Sequence, residues 1–218
     1  MKTIIVASQK GGSSKTTIVE CLAVEAERAG DGPVWVIDTD QQGTLSEWHD
    51  RRAVEAPQRA DVALSRVGDG LAALAARGAS WCFVDTAPAS SKQNAALLTL
   101  ADLVLIPVRP SPADLWAVAE TVEAVKEAGK PFLFVVSQAK QKAGITAQAV
   151  AALSQHGPVA EAFMADRVAY AVAMTSGQTA PELAAKGPAA AEVAHLWECV
   201  KSCFHEKKQP QRVRKARG

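Results

Sequence analysis

Five apolar runs in this chain of 218 residues are continuous instead of alternating with polar positions. They fall at 3–8, Pro33-Val34-Trp35-Val36-Ile37, Ser80-Trp81-Cys82-Phe83-Val84, Asp102-Leu103-Val104-Leu105-Ile106-Pro107 and Pro131-Phe132-Leu133-Phe134-Val135-Val136, with a weaker run at 158–163. A strand with one face in water would alternate, whereas continuous runs suit parallel strands covered by helices on both faces. Helical patterns lie between them, at 16–29, about 69–77, about 92–100, 112–128, 145–155 and 189–205. In 112–128 Leu115, Val118, Val122 and Val125 form one stripe; in 189–205 Val193, Leu196 or Trp197, Val200 and Phe204 form another. Gly30, Gly78 and Gly129 stand where helices should stop. This strict alternation predicts a doubly wound α/β domain over 1–205, a mostly parallel sheet with helices on both faces. Ligands are then expected at the carboxyl ends of the strands. There is no internal repeat and no linker before residue 206.

The first run leads directly into Gln9-Lys10-Gly11-Gly12-Ser13-Ser14-Lys15-Thr16-Thr17. Strand, glycine-rich loop and helix N-terminus in that order cradle nucleotide phosphates. Backbone N–H groups converge on the anion, Lys15 reaches the β/γ oxygens and the Thr16 hydroxyl can ligate Mg²⁺. The usual pattern G-x-x-x-x-G-K-[ST] has glycine where this chain has Ser14, and a second lysine, Lys10, heads the loop. Carboxylates follow two further strands: Asp38-Thr39-Asp40 after the second, and Asp85-Thr86-Ala87-Pro88 after the run at 80–84. An aspartate ending an apolar run can hold Mg²⁺ through its water shell, and the fold brings such sites to one edge of the sheet.

Bulk properties narrow the class. Hydrophobic residues make up 48% and charged residues 22%, ordinary for a soluble globular protein. No run approaches the roughly 18 apolar residues of a membrane helix. The chain starts almost at once on a strand, so neither a signal peptide nor an added N-terminal module is expected. Cys21 and Cys82 sit in apolar patterns and read as buried thiols of a reducing cytoplasm. Cys199 and Cys203 share a helix face but lack supporting ligand spacings. The net charge of +1 hides an asymmetry. Residues 206–218 carry Lys207, Lys208, Arg212, Arg214, Lys215 and Arg217 against Glu206, leaving the preceding chain at −4. A basic tail of this kind, expected to be disordered, suits a polyanion.

The loop from Lys10 to Thr16 resembles the deviant Walker A motif of the ParA/MinD ATPases. Val36-Ile37-Asp38-Thr39-Asp40-x-Gln42-x-x-Leu45-x-x-Trp48 is similar to the segment after the second strand of small, ParF-like ParA partition ATPases. Ile106-Pro107-Val108-Arg109-Pro110-Ser111-Pro112-x-Asp114 is similar to the family's proline-rich segment near the nucleotide base. Arg167-x-x-Tyr170 with Gly177-x-Thr179-x-x-Glu182 resembles its C-terminal region. The resemblance covers about residues 1–205.

It implies ATP and Mg²⁺ as cofactors, held by Lys10, Gly11, Gly12, Ser13, Ser14, Lys15, Thr16 and Thr17, with Thr17 near the α-phosphate. Pro107, Arg109, Pro110 and Asp114 would lie near the base. Thr16, Asp38 and Asp85 would surround the metal, with Asp85 as the Walker B residue. Catalysis would fall to Lys10, Lys15 and Asp40: Asp40 would position the attacking water, and Lys10 would cross a dimer interface to the partner's ATP. The chain departs from the family at Gln41, where proline is usual, and at Ser137-Gln138, where asparagine often contacts the base.

The function so implied is a partition ATPase: an ATP-dependent homodimer, cytoplasmic and nucleoid-associated, that holds DNA without sequence preference. A ParB-like or ribbon–helix–helix adaptor would stimulate its weak hydrolysis. Partition of a protein cargo uses the same logic and stays open. Operator-specific repression is not expected without an N-terminal helix-turn-helix module. MinD-like membrane cycling needs an amphipathic C-terminal helix, and after Phe204 only Val213 is large and apolar. An iron–sulfur carrier would need loop cysteines that are absent here. Lys10, Trp48 and the 107–114 segment argue against a small-molecule kinase or ligase.

Overall fold

The computed structural model describes residues 1–88, 91–140 and 144–205, with the backbone alone for 91–94; the basic tail read from the sequence lies outside the described residues. Six parallel strands form one sheet: β1 (Lys2–Val6), β2 (Val34–Asp38), β3 (Gln58–Arg59), β4 (Trp81–Asp85), β5 (Leu103–Val108) and β6 (Phe132–Val136), in the order β3-β2-β4-β1-β5-β6. The helices are α1 (Lys15–Arg28), α2 (Thr44–Asp50), α3 (Val67–Ala76), α4 (Ser91–Leu98), α5 (Pro112–Glu127), α6 (Gly144–Ser154), α7 (Val168–Met174), α8 (Ala180–Leu183) and α9 (Pro188–His205).

The continuous apolar runs have the cause their pattern implies. Along β1, Ile4 and Val6 enter a core beneath α1 and α9, while Ile5 and Ala7 enter a second core on the other face, beneath α4 and α5. Period-two geometry sends neighbours to opposite faces, so a strand buried on both is apolar throughout. Each fully buried large side chain, such as Leu22, Phe83 or Trp197, contributes roughly 1.5–3 kcal/mol. The chain moves from β1 towards β2 on one side and later to β5 on the other. This reversal opens a crevice at the carboxyl end of β1, the usual ligand position in such sheets.

The weak run at 158–163 is not a regular strand. Phe134 N donates to Pro158 O, Ala160 N to Phe134 O and Met164 N to Val136 O, so the segment follows the β6 edge through isolated bridges. Pro158 has no N–H to extend the ladder. Among the described residues, five elements have no counterpart in the sequence pattern: α2, α7, α8, β3 and a 3-10 turn at Leu64–Arg66, of two to seven residues each.

Candidate active site

The phosphate loop leaves β1 after Val6 and becomes helical at Lys15. Gly12 has φ +70° and Ser14 φ +73°. Ser14 thus occupies the left-handed conformation for which glycine is the usual choice, at a cost on the order of 1–3 kcal/mol. Neighbours brace it: Gln138 Nε2 donates to Ser14 Oγ at 3.0 Å and Gly12 O at 2.9 Å, and Ser137 Oγ donates to Ser13 O at 3.0 Å. The Ser137-Gln138 pair therefore fastens the end of β6 to the loop. No acidic residue lies in the first turn of α1, so its N-terminal dipole stays free to meet an anion.

Lys15 is only 7% exposed, and its ammonium approaches Lys10 O at 3.4 Å. Burial lowers its pKa, opposed by the carboxylates of Asp85 and Asp40. Thr16 Oγ1 donates to Asp85 Oδ2 at 2.6 Å, directly joining two of the three residues expected at a metal. Asp85 is buried, and burial pushes its pKa up to about 7, with Asp38 adding to the rise while the Thr16 hydrogen bond and Lys15 pull the other way. Its Oδ1 is buried with no hydrogen-bond partner among the described residues, as are Ser13 Oγ and Gln9 Nε2 nearby in the loop. Buried polar atoms left unpaired are costly. An open carboxylate oxygen beside a threonine hydroxyl fits a hydrated divalent cation.

The carboxylate pair after β2 is organised differently. Asp38 stands level with Asp85 on the neighbouring strand. Its Oδ2 accepts from Ser46 N at 2.9 Å and Ser46 Oγ at 3.0 Å, and its Oδ1 accepts from Asp40 N at 3.0 Å. Asp38 thus anchors the start of α2, while Thr16 and Asp85 make the direct contact. Asp40 accepts from Gln42 N at 3.0 Å, stays half-buried and acts electrostatically on both Lys15 and Asp85.

Beyond Lys10 a cleft of about 450 Å³ opens, lined by Arg109, Pro110, Asp114, Gln138, Lys140 and Ile145 among others. Arg109 Nε donates to the buried Asp114 at 3.0 Å, and its guanidinium lies against Gly12, 3.7 Å from where a Cβ would stand. Asp114, which also bonds Ser111 at the start of α5, therefore holds Arg109 in place. Pro107 is buried inside β5, level with Val135. Thr17 is half-buried in the first turn of α1. A larger groove of about 890 Å³ between α6 and residues 157–163 is mainly apolar, and no cation is among the described residues that line it.

Several residues at the site were given no bracing role from the sequence. Thr39 donates to Asp85 O, Thr86 to Val6 O, and Ser46 and Ser137 act as above. Thr39, Thr86 and Ser137 share a signal: a hydroxyl residue immediately after a strand, where it closes a neighbouring backbone carbonyl.

Residues 4–180 match the family described as CobQ/CobB/MinD/ParA nucleotide binding domain. The maintenance of carboxysome distribution protein A of Halothiobacillus neapolitanus is 32% identical over 199 residues, 87% of this chain and 91% of its own length. The protein ParA of Rhizobium radiobacter is 31% identical over 131 residues, 58% of this chain and 57% of its own. Among solved structures, MinD from Pyrococcus horikoshii complexed with Mg-ADP gives a TM-score of 0.76 at 14% identity, covering 96% of this chain and 99% of that one. Apo McdA from Cyanothece gives 0.70 at 20% identity, covering 94% and 99%. At these identities the structural likeness speaks to the fold.

Proposed function

The chain belongs to the CobQ/CobB/MinD/ParA nucleotide-binding family, and from that premise we propose that it hydrolyses ATP as a nucleotide-dependent homodimer that positions a cargo on nucleoid DNA. The observation that carries the reading is the pair of loop lysines. Lys15 is buried against its own loop, whereas Lys10 Nζ has no hydrogen-bond or ion-pair partner among the described residues and faces the cleft. A second copy docking over the loop would bring Lys10 to the other subunit's phosphates. A lysine arriving at ~4 Å adds on the order of 4 kcal/mol of attraction at an effective dielectric near 20, before desolvation. Trp116, 78% exposed, stands one helical turn from Ala113 of the cleft wall and offers apolar surface for that contact.

Hydrolysis here asks for positioning and charge neutralisation more than covalent chemistry. The loop amides and Lys15 hold the phosphate oxygens, Asp40 orients the attacking water, and Lys10 neutralises charge that grows as the γ-phosphoryl leaves. Mg²⁺, held by Thr16 and Asp85 with Asp38 behind them, would supply further charge neutralisation. Arg109 and Pro110 flank the base.

For the cargo, we favour a protein assembly over a plasmid, which revises the expectation from sequence. The relative named for carboxysome distribution matches 87% of this chain, and the ParA protein 58%. Plasmid partition with a ParB-like adaptor is the second reading. No helix among the described residues is long and apolar enough to cross a membrane. The deciding measurement is solution mass with ATP, ADP or neither, alongside retention on DNA of random sequence. Doubling of the mass and DNA retention with ATP alone are expected; a monomer under all three conditions would overturn the reading.

A further inference from the structure

The short helix α2 is tied at both ends. At its start, Ser46 N and Oγ hold Asp38 Oδ2. Just past its end, Arg52, whose side chain is 3% exposed, donates to Gly177 O at 2.9 Å, Ala56 O at 2.7 Å and both carboxylate oxygens of Glu182 at 3.0 and 3.2 Å. The guanidinium lies 4.7 Å from the Trp48 ring centre, and Trp48 Nε1 donates to Gln178 O at 3.1 Å. Gly177, at φ +67°, lets the two backbones meet: a Cβ there would stand 2.5 Å from Arg51 C and 2.6 Å from Arg52 N. Glu182 also accepts from Thr179 N and Oγ1, closing the first turn of α8.

Glu20 completes the arrangement. It lies on α1 one turn after Thr16, is 1% exposed, and interacts electrostatically with both Arg52 and Asp85. Arg52 therefore sits where the helix behind the phosphate loop, the helix after Asp38-Asp40 and the 177–182 turn come together. The planar fork of an arginine reaches Gly177 O, Ala56 O and both Glu182 oxygens in fixed directions, which an ammonium cannot, while Arg52 Nε and Glu20 Oε2 make no hydrogen bond among the described residues.

We propose that Arg52 is a positioning residue: by clamping α2 to the Gly177–Glu182 turn it sets where Asp38 and Asp40 stand at the phosphate site. The clamp works through α2 as a rigid strut, fixed at Glu182 and read out at Asp38, and its catalytic consequence rests on the ATPase reading above. Loosening the far end leaves Lys15 and the loop amides in place, so nucleotide affinity is retained while orientation of the water is lost.

The test uses the full chain as wild type, Glu182→Gln, Arg52→Lys, Ser46→Ala and the Ser46→Ala/Glu182→Gln double variant. Hydrogen exchange without nucleotide should quicken about tenfold across residues 38–50 in Glu182→Gln, with β1, β4 and β5 unchanged. ATP turnover should show kcat down about tenfold with KM for ATP within about twofold. Arg52→Lys should fall between wild type and Glu182→Gln. The double variant should lose less than the product of the two single losses, because both act on one strut. Quickened exchange confined to residues 174–184, a lower melting temperature with unchanged kcat, or losses that multiply would each overturn the proposal. Absence of ATP hydrolysis in the wild type would sink the ATPase reading instead, and the exchange pattern would still decide whether the clamp reaches Asp38.

Discussion

The inner half of the phosphate loop, Ser13 to Thr17, and the outer half, Gln9 to Gly12, are built on opposite principles. The inner half is closed by its own chain. Ser13 and Lys15 are buried, Ser14 is braced by Gln138, Ser13 O is held by Ser137, and Thr16 meets Asp85. The outer half is open: Gly11 and Gly12 are exposed, and Lys10 is half-buried with its ammonium unpartnered among the described residues. A loop meant only to bind nucleotide in a monomer would gain little from an outlying lysine. On the proposed reading, ground-state binding belongs to the inner half, and the outer half of a second copy completes the hydrolytic site.

The severest test strikes the inner half. Lys15→Ala should weaken ATP binding by about 10³-fold, the scale of removing one member of a buried charge contact, as read by nucleotide titration. Should Lys10→Ala weaken binding equally, the division between halves is wrong.

Next in size is Lys10→Ala itself, which should leave affinity within about threefold but cut turnover by ~10²–10³, the scale for losing one charge-stabilising donor. Mixing it with Asp40→Ala subunits should restore part of the turnover. In the mixed dimer, the Lys10→Ala subunit keeps its own Asp40 and receives Lys10 from its partner. No rescue in the mixture would place Lys10 on its own subunit's nucleotide.

Gln138 bonds both halves and should behave as an intermediate. Gln138→Gly keeps a residue that accepts the φ of +50° but removes two hydrogen bonds. An affinity loss of about tenfold is expected, equivalent to ~1.4 kcal/mol. The smallest effect belongs to Ser137→Ala, which removes one buried bond to the inner half. It should cost ~1 kcal/mol and lower the melting temperature by about 2–4 °C, with turnover per folded molecule unchanged. A larger loss of turnover than of stability would mean that β6 shapes the chemistry as well as the loop.

Elements long enough to show a period were legible in the sequence. The five continuous runs and the six longer helical patterns all correspond to elements, because burial on both faces writes itself into every strand position. The short elements were not legible. In α2 only Leu45 and Trp48 are buried, too few for a period, and β3 pairs through two polar residues, Gln58 and Arg59. At the site, Lys15, Thr16 and Asp85 were legible because strand and loop fix their spacing. Ser46 and Arg52 were not, since they act through contacts with residues 8 and 130 positions away.

The last helix imposes an order of events on a newly made chain. Val193, Leu196, Trp197 and Val200 of α9 share a core with Ile18, Val19 and Leu22 of α1, and Trp197 stands edge-on to Trp81 with ring centres 4.8 Å apart. About 160 residues separate the end of α1 from the start of α9. At the usual ~5–20 residues per second of synthesis, the outer face of α1 waits roughly 8–32 s for its cover. During that interval the nascent chain leaves that apolar face uncovered. The loop's chemistry is written within the first seventeen residues, yet the platform that steadies it is finished only when α9 arrives.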